Sequence, residues 1–326
     1  MLNNLYPLSF KPIYKERIWG GQKLYTVLNK DFYPLNQCGE SWEISSVEDN
    51  ISIVADGFLK DKSLQFLIDE YKGLLVGTNI YQKFGNTFPL LIKFLDANDD
   101  LSIQVHPNDQ IAQQRHQSCG KTEMWYIVQA DEGAIINTGF NKEITKEEYI
   151  YHLENGTLSE ILNFEKAENG AVFFLPAGRV HYIGKGCLIA EIQQTSDITY
   201  RIYDFDRVDA QGNKRELHTS LALDCLDFKY YDNYKTSYNH ALNQQNKLVN
   251  SPYFNTNFLH VDGKMHVDYQ HLDSFVIYMI VEGALSVKTD NYISEIKMGE
   301  CLLIPACLKE VELVSDGAKL LEIWVD

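Results

Sequence analysis

The chain lacks what would place it in several broad classes. Its six cysteines (Cys38, Cys119, Cys187, Cys225, Cys301 and Cys307) form no Cys-x-x-Cys pair. They point to free thiols in a reducing compartment rather than to a disulfide framework. No apolar run is long enough to cross a bilayer: Phe275 to Val281, among the longest, has the length of a strand. The opening residues, from Met1 to Leu8, have neither a basic start nor a long apolar core, so a cytoplasmic location is expected. Positive charge is also scarce. A net charge of −16 argues against nucleic acid and anionic membranes as partners, since phosphates would be repelled. It does not exclude a small phosphorylated ligand in a locally basic pocket.

What is present favours β structure. The sequence is 45% apolar and carries 20 Tyr and 16 Phe, with many short β-branched runs. At 326 residues, two compact units are expected. Apolar residues at helical spacing predict a helix over 63–71, and a helical turn is read over 109–116. A Thr145 cap, an acidic first turn and a Gly156 stop predict a second helix over 144–156, and a third is read over 157–165. Gly170–Ala177 aligns with Gly299–Ala306, and Trp125–Val128 resembles Tyr278–Val281. Internal similarity of this kind implies two copies of one plan. The boundary is expected in the polar, turn-rich stretch 208–255, giving units 1–230 and 231–326.

Chemistry concentrates in the first copy. On a strand, Ser102, Gln104 and His106 share one face, and Pro107 should end that strand. With Glu123 and His181 they offer an amide oxygen, two imidazoles and a carboxylate. That mixed set suits Zn²⁺ with a position left open. In the second copy the matching positions are Val276 and Glu310, so no metal is expected there. His260, His266 and His271 read as residues of surface strands.

Gly170-x5-Pro176-x-Gly178-x2-His181 matches the second box of cupins, and Gln104-x-His106 resembles the first. Glu123 lies beyond an insertion, Pro107 to Gly120, where the usual box is shorter. The resemblance implies a mainly β fold of two cupin-type jelly-roll barrels, with a helical insertion in the N-terminal half. The segments 88–97, 101–109, 120–126, 176–186 and 196–207 further resemble type I phosphomannose isomerase in its short bacterial form. That resemblance runs from about Tyr6 to the C-terminus.

It implies a zinc enzyme, with one ion per chain held by Gln104, His106, Glu123 and His181. The implied reaction interconverts mannose 6-phosphate and fructose 6-phosphate through an enediol. Arg201 would then lie near the reacting carbons, with Asp197 orienting it or a substrate hydroxyl. Lys121 would act in catalysis or phosphate binding, together with Ser102 and Lys93. Trp19, Glu40 and Glu43 would either line the cleft or belong to the framework. Long-form relatives carry a His directly before the lysine, where this chain has Gly120, so that His cannot be the proton carrier here. Two other readings stay open: an Fe²⁺-dependent cupin oxygenase and a non-catalytic phosphosugar-binding cupin. The expected partner is a phosphorylated hexose, and the expected assembly a monomer or homodimer.

Overall fold

The computed structural model describes residues 5–208 and 211–326. Its N-terminal part contains β1 (Ile13–Lys15), β2 (Glu40–Ile44), β3 (Ser46–Val47), β4 (Asn50–Ile51), β5 (Leu90–Ala97), β6 (Ile103–Val105), β7 (Glu123–Ala130), β8 (Ile135–Phe140), β9 (Leu162–Lys166), β10 (Val172–Leu175), β11 (His181–Ile183), β12 (Cys187–Gln194), β13 (Tyr200–Tyr203) and β14 (Lys235–Thr236). One sheet runs β1-β2-β5-β12-β7-β10-β14 and a second runs β13-β6-β11-β8-β9, with antiparallel pairing throughout. The central strands β5 and β12 are buried along their whole length, which is why they read as near-continuous apolar runs. Two charges within those runs, Lys93 and Glu191, face each other across the β5–β12 ladder.

The C-terminal part repeats the plan with β15 (Asn246–Asn250), β16 (Asn255–Asp268), β17 (Val276–Glu282), β18 (Ala284–Lys288), β19 (Ile293–Lys297), β20 (Cys301–Ile304) and β21 (Glu310–Trp324). Its sheet runs β15-β16-β21-β17-β20, with β18 joined to β21 and to β19. The fold is mainly β, as the sequence implied. Between the two parts, β14 still pairs with β10, and the C-terminal sheet begins at Asn246.

Helices fill the connections: α1 (Lys23–Thr26), α2 (Leu64–Tyr71), α3 (Gly73–Val76), α4 (Thr78–Phe84), α5 (Asp109–His116), α6 (Lys146–Glu154) and α7 (Thr219–Leu223). The expected helices over 63–71, 109–116 and 144–156 are α2, α5 and α6. Each starts at a side-chain cap, from Ser63, Asn108 and Thr145 respectively. The helix read over 157–165 is not formed. A single 3₁₀ turn, Leu158–Glu160, leads into β9, which pairs with β8. Leu162 is buried while Phe164 and Lys166 are exposed, so β9 is an edge strand whose ladder bonds outweigh a weak helical pattern.

One apolar core joins the two parts. Leu8, Phe88, Phe275 and Leu303 all belong to it, and the rings of Phe88 and Phe275 lie 4.5 Å apart. Leu8 and Leu303 exchange backbone hydrogen bonds of 2.8 and 2.9 Å. Asp273 caps α4 from the C-terminal part, accepting from the Thr78 and Asn79 amides at 2.9 Å each.

Candidate active site

Strand register brings distant residues to one end of the first barrel. Gln104 on β6 stands opposite His181 on β11 and Arg201 on β13. Glu123 opens β7 opposite Gln193 on β12. Both imidazoles are held by their Nδ1 atoms, His106 on the Ile198 carbonyl and His181 on the Arg179 carbonyl, at 2.9 Å each. That leaves both Nε2 lone pairs facing Glu123. The His106 Nε2–Glu123 Oε2 and His181 Nε2–Glu123 Oε1 distances are both 3.5 Å.

His106, Glu123 and His181 are buried, and among the described residues they form a group that could hold a metal ion. Burial, reinforced by Lys121, lowers His181 to about 3 and His106 well below its usual range. Both rings are therefore neutral, as ligands must be. Burial pushes the Glu123 carboxyl up, and Lys121 opposes it. Glu123 Oε1 is buried without a hydrogen-bond partner. An orphaned carboxylate oxygen between two neutral imidazoles is what a cation would satisfy. Gln104 presents its Nε2 to His181 Nε2 at 3.2 Å while its Oε1 accepts from Ser102 Oγ at 3.2 Å. A half-turn of that amide exchanges the two atoms.

Lys121 Nζ donates to His106 Nε2 at 2.8 Å and to Glu123 Oε2 at 2.6 Å. It takes the same lone pairs that a divalent ion needs. The cluster lies against a cavity of about 520 Å³, lined by Trp19, Lys93, Ser102, Gln104, Lys121, Asp197 and Arg201 among others. Lys93 does not snorkel to the surface. Its Nζ donates to Glu191 Oε2 at 3.0 Å and Gln193 Oε1 at 2.7 Å. Burial disfavours its charge, but Glu191 and Glu40 outweigh burial and raise it. Arg201 is half-buried. It donates to the Glu216 carbonyl at 2.8 Å, and its Nε has no partner.

Glu43 is not in this cavity. On β2 the residues Glu40 and Trp42 line it, and the intervening positions turn to the opposite face. There Glu43 is buried against Lys30 at 2.8 Å and accepts from Ser41 Oγ at 2.5 Å. Its role is to neutralise a buried lysine.

Gly120 is fixed by its surroundings. A Cβ there would lie 2.6 Å from the Asp109 amide nitrogen and 2.7 Å from the Asn108 carbonyl carbon. Backbone cannot yield, so the histidine of long-form relatives has no room at this position.

Sequence reasoning missed Glu191, Gln193, Arg17 and Arg215. Glu191 was findable: it is a lone acid in an apolar run, the signal that singled out Lys93. Arg215 lies in a polar stretch that reads as linker, and nothing local marks it. In the structure Arg215 lines the cavity and donates through Nε to the buried Asp204 at 2.8 Å.

Two antiparallel barrels with a buried His–Glu–His cluster in the first define a two-barrel cupin with a candidate metal centre. The sequence signature of the phosphomannose isomerase type I catalytic domain matches residues 8–148. The chain is 36% identical to mannose-6-phosphate isomerase ManA of Bacillus subtilis (strain 168), covering 94% of this chain and 95% of that protein. It is 34% identical to mannose-6-phosphate isomerase of Streptococcus mutans serotype c, covering 95% and 96%. The crystal structure of the mannose 6-phosphate isomerase from Bacillus subtilis superposes with a TM-score of 0.89 at 31% identity, covering 98% of this chain and 99% of that one. The chain belongs to the type I phosphomannose isomerase family.

Proposed function

We propose that this protein is a zinc-dependent aldose–ketose isomerase that interconverts mannose 6-phosphate and fructose 6-phosphate by proton transfer through an enediol. The observation that carries the reading is the orphaned Glu123 oxygen between two neutral imidazoles, beside a cavity that also receives Arg201. Gln104, His106, Glu123 and His181 would hold the ion. When bound, Zn²⁺ supplies a Lewis acid for the sugar's carbonyl and hydroxyl oxygens.

The remaining chemistry belongs to the chain. Burial and the neighbouring Arg215 lower Arg201, but a guanidinium stays protonated, and its unused Nε donor suits the negative charge that develops on an enediolate oxygen. Lys121 Nζ holds a proton within hydrogen-bond reach of His106 Nε2 and Glu123 Oε2. Asp197 lines the same cavity and can accept from a sugar hydroxyl. Ser102, Lys93 and Trp19 are substrate contacts in this reading. Arg17 and Arg215 bring the guanidinium groups at the cavity to three, beside the carboxylates of Glu16, Glu40, Glu191 and Asp197, and bidentate guanidinium donors suit the phosphate of an anionic sugar. Residues 1–230 would form the catalytic unit and 231–326 a metal-free unit, whose Lys235–Thr236 extends the first sheet. The free thiols suit a reducing cytoplasm.

A coupled assay tests this. Fructose 6-phosphate should form from mannose 6-phosphate, stop with a chelator and resume with Zn²⁺. His181→Ala should lose both metal and turnover. Full turnover in metal-stripped protein would remove the ion from the mechanism.

A further inference from the structure

The C-terminal barrel has no His–Glu–His group among its described residues, yet it holds a buried acid at the corresponding place. Glu322 is fully buried on β21, in the apolar run Leu320–Trp324, as Glu191 is on β12. The registers correspond. Glu191 stands opposite Lys93 on β5 and Trp125 on β7. Glu322 stands opposite Asn257 on β16 and Tyr278 on β17. Trp125 and Tyr278 are equivalent positions of the sequence repeat, so the two acids are related by the same duplication.

Glu322 is held by several donors. Gln245 Nε2 donates to both of its oxygens, at 2.8 and 2.9 Å, and Asn257 Nδ2 to Oε2 at 2.6 Å. The Tyr269 hydroxyl donates to Oε1 and lies 2.5 Å from the Tyr278 hydroxyl. Apolar side chains would fill this space at least as stably as a satisfied buried acid, so packing alone does not account for it. The network borders a cavity of about 320 Å³, whose lining also includes Asn255, Trp324 and Asp326.

The lining indicates what would bind. Where the first barrel places the Lys93 ammonium, the second places the Asn257 amide. Among the described residues, no Lys or Arg lines this cavity; its one basic side chain is His271, set against the carboxyls of Glu322 and Asp326, which disfavour an anion. The amides offer both donors and acceptors to hydroxyl groups. Trp324, half-buried, offers a flat apolar face to the C–H side of a ring.

We propose that the C-terminal barrel binds an unphosphorylated monosaccharide in the cavity formed by Glu322, Asn257, Gln245, Tyr269 and Trp324. Glu322 is a positioning residue: its oxygens fix the amides and the Tyr269 hydroxyl that meet the sugar.

The four tryptophans make the test direct. Trp19 and Trp42 line the first cavity, Trp125 donates to Glu191, and Trp324 reports on the second cavity. In full-length protein labelled at the indole nitrogens, D-mannose should move the Trp324 signal saturably. Fructose 6-phosphate should leave that signal in place and should not displace the bound mannose. Trp324→Ala should abolish saturable mannose binding in equilibrium dialysis while turnover of mannose 6-phosphate is unchanged. A Trp324 signal that stays fixed up to the solubility limit of mannose overturns the proposal. So does mannose binding that fructose 6-phosphate displaces, since the sugar would then occupy the first cavity. The indole readout uses unaltered protein and does not depend on how the variant folds.

Discussion

Lys121 competes with any cation for His106 Nε2 and Glu123 Oε2. Lys121→Met removes the competitor while keeping much of the side-chain volume. The variant should hold its metal longer against a chelator and lose most of its turnover; faster metal loss would show that the ammonium supports the site instead. Glu40 provides a test in pH. Burial alone would raise its carboxyl, but Lys93 and Arg17 outweigh burial and hold it at about 2. A folded value below the unfolded one stabilises the protein fully above pH ~4.5, and that contribution fades as pH falls toward 2. The shift corresponds to about 3 kcal/mol. Glu40→Gln should therefore lower stability in urea by roughly that amount at pH 7, with the difference shrinking toward pH 2. A difference that ignores pH would remove the Lys93–Glu40 coupling. At this scale the candidate ligands were legible because strand parity puts Gln104 and His106 on one face and Gly178 and Pro176 frame His181. Glu40 and Glu43 were not separable, because period-two alternation gives two faces without saying which one meets the cavity.

Caps made the longer helices readable, since Ser63, Asn108 and Thr145 lie directly before the elements they start. The start of α4 carried no such mark: its cap is Asp273, 195 residues away for Thr78. Asp273→Ala should cost about 1 kcal/mol, read as a lower denaturation midpoint at unchanged slope. No loss would mean that water replaces the carboxylate. The two amide donors hold Asp273 below the usual carboxylate range, so the cap should weaken as pH falls through that lowered value. β9 shows the opposite limit. Its sequence is locally ambiguous, and pairing with β8 decides it. Glu191 and Glu322 show a third: each is a lone acid in an apolar run, visible in sequence, but its partner is named only by register across the sheet.

Across the whole molecule, the seam between the two parts is an apolar core rather than a polar surface. Calorimetry of the metal-free protein should show a single unfolding transition, because neither part keeps its apolar surface covered without the other. Two well-separated transitions would contradict a shared core. The duplication was legible in the repeated Gly-to-Ala segments, but the seam was not, since it is built from residues such as Leu8 and Phe275 that read as ordinary apolar positions. The Leu8–Leu303 bridge also orders events during synthesis. Ribosomes add roughly 5–20 residues each second, so Leu8 emerges many seconds before its mate exists. Throughout that interval Leu8, fully buried in the finished protein, lacks its mate, and a nascent chain halted short of Leu303 would present it to chaperones.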